Sequence, residues 1–185
     1  MTARIYWIFV LLFFIFSSCQ SQTTVKQNSD TSNSVPKNLP NHEPNFNYIV
    51  EVPDSWAIYD TVMQEGLKVR FLFPQQKLQP DLPNGNVLIT WMDGKNIDDF
   101  TDNNIRYLKA NMPGITIINK GSIDSTEYGG QWYTYTKEQN GVVRDMINYI
   151  IPYDGFAYMI TCGCNKGSME KYRAAFDKIA KSFKV

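Results

Sequence analysis

An uninterrupted apolar run near the amino end sets the first limit on what this chain can fold into. The run covers residues 5–16 and follows Arg4. A helix that crosses a membrane needs about 20 apolar residues, so this run is too short for a stable span. It has the length of the hydrophobic core of a secretory signal peptide, which is about 7–15 residues. We therefore predict that residues 1–18 are a signal peptide and take no part in the folded domain.

The residues after this run indicate a lipid anchor. Two serines separate the run from Cys19, and small residues directly before a cysteine resemble the lipobox of bacterial lipoproteins. The resemblance implies cleavage before Cys19, which then carries diacylglycerol on its thiol and usually an acyl group on its amine. Two or three acyl chains make a stable anchor, because each buried CH₂ contributes about 0.8 kcal/mol. Neutral residues follow Cys19, which by resemblance to lipoprotein sorting favours the outer membrane, facing the periplasm.

A polar segment separates this cysteine from the rest of the chain. Residues 19–45 are mostly Ser, Thr, Asn, Gln and Pro, and include His42, the only histidine. Such a segment cannot bury enough apolar area to offset the entropy lost on ordering, so we predict a disordered tether. As a flexible coil its 27 residues would span about 30 Å. Residues 46–185 then form one α+β domain.

Charge narrows the range of partners. The chain has 18 basic and 18 acidic residues, and removal of residues 1–18 takes away Arg4 and no acid, which leaves a net charge of −1. Nucleic acid binding needs a clustered basic face, so we expect no nucleic acid partner. The expected partners are the membrane, through the lipid, and an envelope protein or small ligand that the sequence does not identify.

Patterning after residue 45 predicts a curved antiparallel sheet flanked by helices. The predicted strands cover residues 48–52, 56–63, 67–73, 87–92, 115–125, 131–138, 142–151 and 156–162, and the predicted helices cover residues 97–111 and 169–183. Tight turns at Asn140-Gly141 and Asp154-Gly155 predict that the last strands form an antiparallel meander.

Side-chain periodicity predicts which faces are buried. In strand 67–73 the odd-numbered apolar residues alternate with basic ones, so we expect the odd-numbered face to be buried. The last helix has one apolar stripe, made of Met169, Tyr172, Phe176, Ile179 and Phe183. Ser168 is the predicted N-cap of that helix, and Asp98 or Asp99 is expected to stabilise the start of the earlier helix. Tyr149 and the other strand tyrosines are expected to pack in the sheet rather than to line a groove.

Three segments together resemble the PsbP-like fold, which is shared by the extrinsic photosystem II subunit and the periplasmic lipoprotein DcrB. Residues 48–56 give a strand, a proline and a tryptophan, residues 155–160 give a late strand, and residues 172–185 give a closing helix that ends on Ser182-Phe183. The resemblance implies an α/β/α sandwich used mostly for binding and assembly, and it carries over no catalytic residue.

Cys162 and Cys164 are the one unusual constellation in the domain. In an extended strand their thiols point the same way and their Cα atoms lie about 6.5–7 Å apart, at the edge of disulfide range. A local disulfide, a redox-active or soft-metal pair, and two reduced thiols all remain open. Two cysteines supply only half of a tetrahedral metal site, so we predict no metal or cofactor site.

The candidate chemistries are few. Serine or cysteine triads need a base, and residues 46–185 contain no histidine. The acidic residues between 93 and 102 lack the spacing of an EF-hand loop and fit helix capping better. We therefore expect a non-catalytic binding or assembly domain with no catalytic residue. The alternatives are thiol–disulfide or soft-metal handling through Cys162 and Cys164, and an envelope glycan hydrolase, whose carboxylate pairs have no linear signature.

The anchor prediction is tested by mass spectrometry of the protein from its native host. The expected mature chain begins at Cys19 and carries fatty acid, because the leader is too short to hold the protein in the bilayer. An intact amino terminus, or a mature chain without fatty acid, would contradict the prediction.

Overall fold

One seven-stranded antiparallel sheet organises the protein. The computed structural model describes residues 43–63, 66–75, 82–124, 126–139 and 141–185. The strands are β1 Trp56–Val62, β2 Lys68–Pro74, β3 Asn84–Trp91, β4 Thr116–Ser122, β5 Gln131–Gln139, β6 Val142–Tyr153 and β7 Phe156–Asn165, and the helices are α1 Ile97–Asn111 and α2 Met169–Lys181. The predicted leader, Cys19 and nearly all of the predicted tether lie outside the described residues.

The strand order shows how the sheet is assembled. It is β1-β2-β3-β7-β6-β5-β4, and every neighbouring pair is antiparallel. The meander from β4 to β7 confirms the predicted hairpins, and β7 then pairs with β3 along its length. The open, curved antiparallel sheet with two helices confirms the predicted α+β fold class.

The two helices found among the described residues cover opposite faces of the sheet. In β6, Ile147 and Tyr149 belong to the core that contains α2, whereas Met146 and Ile150 belong to the core that contains α1. We call these sides the α2 face and the α1 face. Because β6 is buried on both sides, apolar residues occupy both of its faces, alongside the buried polar residues Arg144, Asp145 and Asn148. The layers form the α/β/α sandwich that the resemblance implied.

The apolar stripe of α2 packs as predicted. Phe176 and Ile179 are completely buried against the α2 face, with Ala180 beside them. Each such side chain contributes about 1.5–3 kcal/mol by leaving water. Ser168 occupies the predicted N-cap position, but its side chain makes no capping hydrogen bond, and its backbone lies near φ −103°, ψ 1° rather than in the extended conformation typical of an N-cap.

The start of α1 is capped by a residue that the sequence analysis did not select. Asn96 accepts a hydrogen bond from the backbone N–H of Asp99 at 2.8 Å. Asp98 and Asp99 lie in the first turn, where their charge favours the helix dipole. Asn96 therefore supplies the cap, and the Asp99 carboxylate in turn accepts a hydrogen bond from the side-chain amide of Asn96 at 2.8 Å.

The predicted strand 48–52 is wrong. Only Ile49 forms a β-bridge, with Lys184 of the C-terminal tail. The alternating residues Tyr48 and Val50 are buried in the core of the α2 face instead. The alternating apolar residues of this segment therefore bury their side chains on the α2 face. Apart from the single bridge at Ile49, the segment does not pair as a strand of the sheet.

The buried face of β2 also differs from the prediction. Val69, on the predicted face, is buried, but Phe71 and Phe73 are only half-buried. The most buried residue is Leu72, which lies on the other side under the α2-face core. The reason is that α1 packs on β5 and β6 and leaves the α1 face of β2 partly open.

Replacing Phe176 with Ala tests the packing of α2. Removal of a completely buried aromatic side chain leaves a cavity and should lower the free energy of unfolding by about 3–5 kcal/mol. The matched control is Tyr107→Ala on the exposed side of α1, which should change stability by no more than about 0.5 kcal/mol. Urea denaturation measures both, and equal losses would show that α2 is not a main support of the fold.

Candidate ligand-binding cavity

A cavity of about 390 Å³ lies beside α2. We call it the α2 cavity. Its lining residues come from the end of β4, from β5 and β6, and from one side of α2: Ser122, Ile123, Asp124, Trp132, Tyr149, Arg173, Asp177, Ala180 and Lys181. The volume falls at the lower end of the range typical of small-molecule sites, about 300–1,000 Å³.

Three polar side chains meet in the wall of this cavity. The hydroxyl of Tyr149 donates to Oδ1 of Asp177 at 2.6 Å, and Nε of Arg173 donates to the same oxygen at 2.8 Å. Arg173 and Asp177 are four residues apart, which puts them on the same side of α2. Burial, together with the hydrogen bond to Asp177, raises the pKa of Tyr149 well above its usual value. Tyr149 therefore stays a hydrogen-bond donor at neutral pH.

Trp132 forms the second wall and is held on several sides. The guanidinium of Arg173 lies 4.2 Å from the centre of a Trp132 ring, within cation–π range. The indole N–H donates to the carbonyl of Ser122 at 3.1 Å. On β4, Gly121 leaves room for the ring, because a Cβ there would come within 2.8 Å of Cζ2 of Trp132. The aromatic wall is therefore fixed before any ligand arrives.

These groups suit binding better than acid–base catalysis. Within the described residues, only Nε of Arg173 has a hydrogen-bond partner, so the two Nη groups remain able to donate. Asp124 and Asp177 both line the cavity, as a glycan hydrolase would need. One carboxyl of such a pair must be held protonated. Oδ1 of Asp177 instead accepts two hydrogen bonds, from Tyr149 and Arg173, which suits a structural role in the cavity wall.

The two domain cysteines are not among the lining residues of the α2 cavity. Cys162 and Cys164 are buried free thiols on β7, on the α2 face. Burial raises the pKa of the Cys162 thiol well above its usual range and that of Cys164 to about 11. The thiolate, which is the nucleophile and the metal ligand, is therefore scarce at neutral pH. Among the described residues, no group of three or more His, Cys, Asp and Glu side chains is placed to hold a metal ion.

Sequence reasoning did not select the residues of the α2 cavity. Tyr149 was considered, as a packing residue, and it does pack in the sheet, but its hydroxyl reaches Asp177. Arg173 and Asp177 flank the apolar stripe of α2, and a charged pair with this spacing is usual on exposed helix faces. The difference here is that the sheet brings Trp132 under the guanidinium of Arg173, and this contact between distant residues is not visible in the sequence.

Comparison with known proteins gives the fold a name. No protein-family model and no curated protein matches this sequence. Among solved structures, cyanobacterial PsbP (CyanoP) from Synechocystis sp. PCC 6803 is similar, with a TM-score of 0.57 and 19% identity, over 75% of this chain and 86% of CyanoP. The fold is PsbP-like. At this identity the likeness concerns the fold alone.

Two further structures have the same fold. LpqN of Mycobacterium tuberculosis, described as involved in cell envelope biogenesis, has a TM-score of 0.55 and 14% identity, over 74% of this chain and 81% of LpqN. PA94 of Pseudomonas aeruginosa, a protein of unknown function, has a TM-score of 0.54 and 9% identity, over 68% of this chain and 94% of PA94.

In the part of this chain that the structure describes, neither helix has the length and apolar character needed to cross a bilayer.

Thiol labelling tests the account of the cysteines. In the Cys19→Ser chain, purified without reductant, Cys162 and Cys164 should react with Ellman's reagent only after unfolding in urea, because both are buried. Ile118→Cys, on the exposed part of β4, supplies a reactive thiol as the positive control. Rapid reaction of the folded chain would contradict this burial, and the absence of both thiols after unfolding would show that they form a disulfide.

Proposed function

We propose that this protein is an envelope lipoprotein, anchored through Cys19, whose domain is a non-catalytic binding or assembly module. The α2 cavity is its contact site. The observation that carries the proposal is the preformed wall in which Trp132, Arg173 and Asp177 hold one another while the Nη groups of Arg173 remain able to donate.

The chemistry of the α2 cavity indicates what it would recognise. Planar guanidinium groups bind carboxylates and phosphates through pairs of parallel hydrogen bonds. The indole of Trp132 adds an apolar wall, and Lys181 adds a second positive charge at the rim. Asp124 limits how much negative charge the cavity accepts. A polar group of a small ligand, or a side chain of an envelope protein, fits this arrangement.

The envelope location is supported by two independent observations. The first is the sequence of the leader, with its short apolar run and the serines before Cys19. The second is the fold itself, since LpqN, which has the same fold, is involved in cell envelope biogenesis. We propose the outer membrane, facing the periplasm, as the specific site of anchoring.

Site-specific photocrosslinking tests the role of the α2 cavity. A benzophenone amino acid in place of Lys181, at the rim, should capture a discrete partner or ligand in native membranes, seen as a new band or as an added mass. The matched control places the same group at Tyr107, on the opposite face of the domain. We expect the product at position 181 and not at position 107.

Two further variants connect that product to the cavity. Arg173→Ala removes the donor, and Gly121→Ala forces a Cβ against Trp132 and shifts the wall. Each should reduce the yield at position 181 by at least tenfold, provided that thermal unfolding shows an intact domain. Equal products at both positions, or full yield in both variants, would rule out the α2 cavity as the contact site.

A further inference from the structure

The outer edge of β1 is apolar, and it has no partner in the part of the chain that the structure describes. Within the described residues, β2 is the only strand that pairs with β1. Three of its large apolar residues are exposed: Ile58 at 43%, Tyr59 at 58% and Val62 at 62%. Ile58 and Val62 lie on the α2 face, since Ile58 is paired with the buried Leu72, and Tyr59 lies on the α1 face. A strand edge of this kind is a template for another strand.

The opposite edge of the sheet is protected in a way that β1 is not. In β4 the register shifts between Ile117 and Asn119, a break that the β1–β2 pair lacks, and Lys120 follows, with its charge paired to Asp102 at 2.7 Å. Bulges and lysines are devices that prevent edge-to-edge pairing. In β1 the register with β2 is unbroken, and its one charged residue, Asp60, accepts hydrogen bonds from Arg70 at 2.7 and 2.9 Å. The charge on this edge is therefore already compensated.

The backbone pattern shows which groups of β1 face outward. At one end of the β1–β2 ladder the N–H of Met63 donates to the carbonyl of Leu67, and at the other end the N–H of Gln75 donates to the carbonyl of Ser55. The odd-numbered residues Ser55 and Met63 therefore direct their backbone groups toward β2. Because these directions alternate along an antiparallel strand, the backbone groups of the even-numbered residues Ile58, Asp60 and Val62 point to the open edge.

We propose that β1 pairs with β1 of a second copy of this chain, antiparallel, about a two-fold axis at Tyr59. Tyr59 then faces Tyr59 of the second copy on the α1 face, in a pair of the closely spaced, non-hydrogen-bonded type. On the α2 face, Val62 lies opposite Trp56 and Ile58 lies opposite Asp60. All three exposed apolar side chains are covered, and the two sheets join into one.

Other registers fit less well. Moving the axis to Asp60 places the two Asp60 carboxylates opposite each other, and like charges in that position are destabilising. Moving it to Ile58 carries Val62 beyond the end of the second strand, opposite Asp54. A slip by one residue places the outward-facing backbone groups of one copy opposite residues of the second copy whose backbone groups face inward, toward β2. The helices leave the outer edge of β1 accessible, because α1 packs on β5 and β6, and α2 packs mainly on β6 and β7. The ring of Phe176 in α2 lies 6.4 Å from that of Trp56 at the start of β1, on the inner side of that buried residue.

Cysteine crosslinking of the full chain in native membranes tests this dimer. Tyr59→Cys should form a disulfide with itself under mild oxidation, because the Cα atoms of such a cross-strand pair lie about 4.5 Å apart, within disulfide range. Val62→Cys is the register control: the two cysteines would lie about 20 Å apart along the strands. Ile118→Cys is the control for the other edge. All three positions are exposed, so the domain should fold in each variant.

The expected result is at least ten times more disulfide-linked dimer, on a non-reducing gel, for Tyr59→Cys than for either control. The unsubstituted chain sets the background from Cys19, Cys162 and Cys164. The proposal is overturned if Tyr59→Cys gives no dimer above background. It is also overturned if Val62→Cys or Ile118→Cys links as efficiently, or if the product at position 59 contains a different protein.

Discussion

Burial of α2 against the central strands joins parts of the molecule that are far apart in the sequence. Phe176 and Ile179 are completely buried in the core of the α2 face, which includes side chains of β6 and β7 and also Trp56 of β1. Just beyond the helix, the ring of Phe183 lies 4.8 Å from that of Tyr158 in β7 and 5.9 Å from that of Tyr48. The amino-terminal segment, the sheet and the C-terminal tail thus share one core, so loss of the α2 contact would release all three.

The same contact builds the α2 cavity. A helix that buries one stripe must leave the residues flanking that stripe at the boundary between the core and water. Arg173 and Asp177 occupy that boundary, where Tyr149 can donate to Asp177 from the sheet and Trp132 can stack under the guanidinium. The cavity therefore follows from the packing of α2 and needs no separate structural element. A PsbP-like sandwich with other residues at these flanking positions would present a different surface.

Local patterns predicted most of the fold, because the helices and hairpins depend on neighbours in the sequence. The bounds of α1 and the stripe of α2 follow from periodicity, and the late meander follows from tight turns. Predictions were wrong where burial depends on a distant partner. Tyr48 and Val50 alternate like a strand but are buried under the C-terminal tail, and β2 is most buried through Leu72, on the side opposite to its apolar alternation. The cavity was not predictable for the same reason, since its walls come from four elements.

Native-state hydrogen exchange tests most directly whether α2 and the sheet open as one unit. The account predicts that the backbone amides of Asp177 in α2 and Tyr149 in β6 exchange with the same opening free energy, equal to that of global unfolding. The cavity wall would then be preformed. If the amide of Asp177 exchanges with an opening free energy more than about 2 kcal/mol below that of Tyr149, α2 detaches from an intact sheet, and this account of the cavity is wrong.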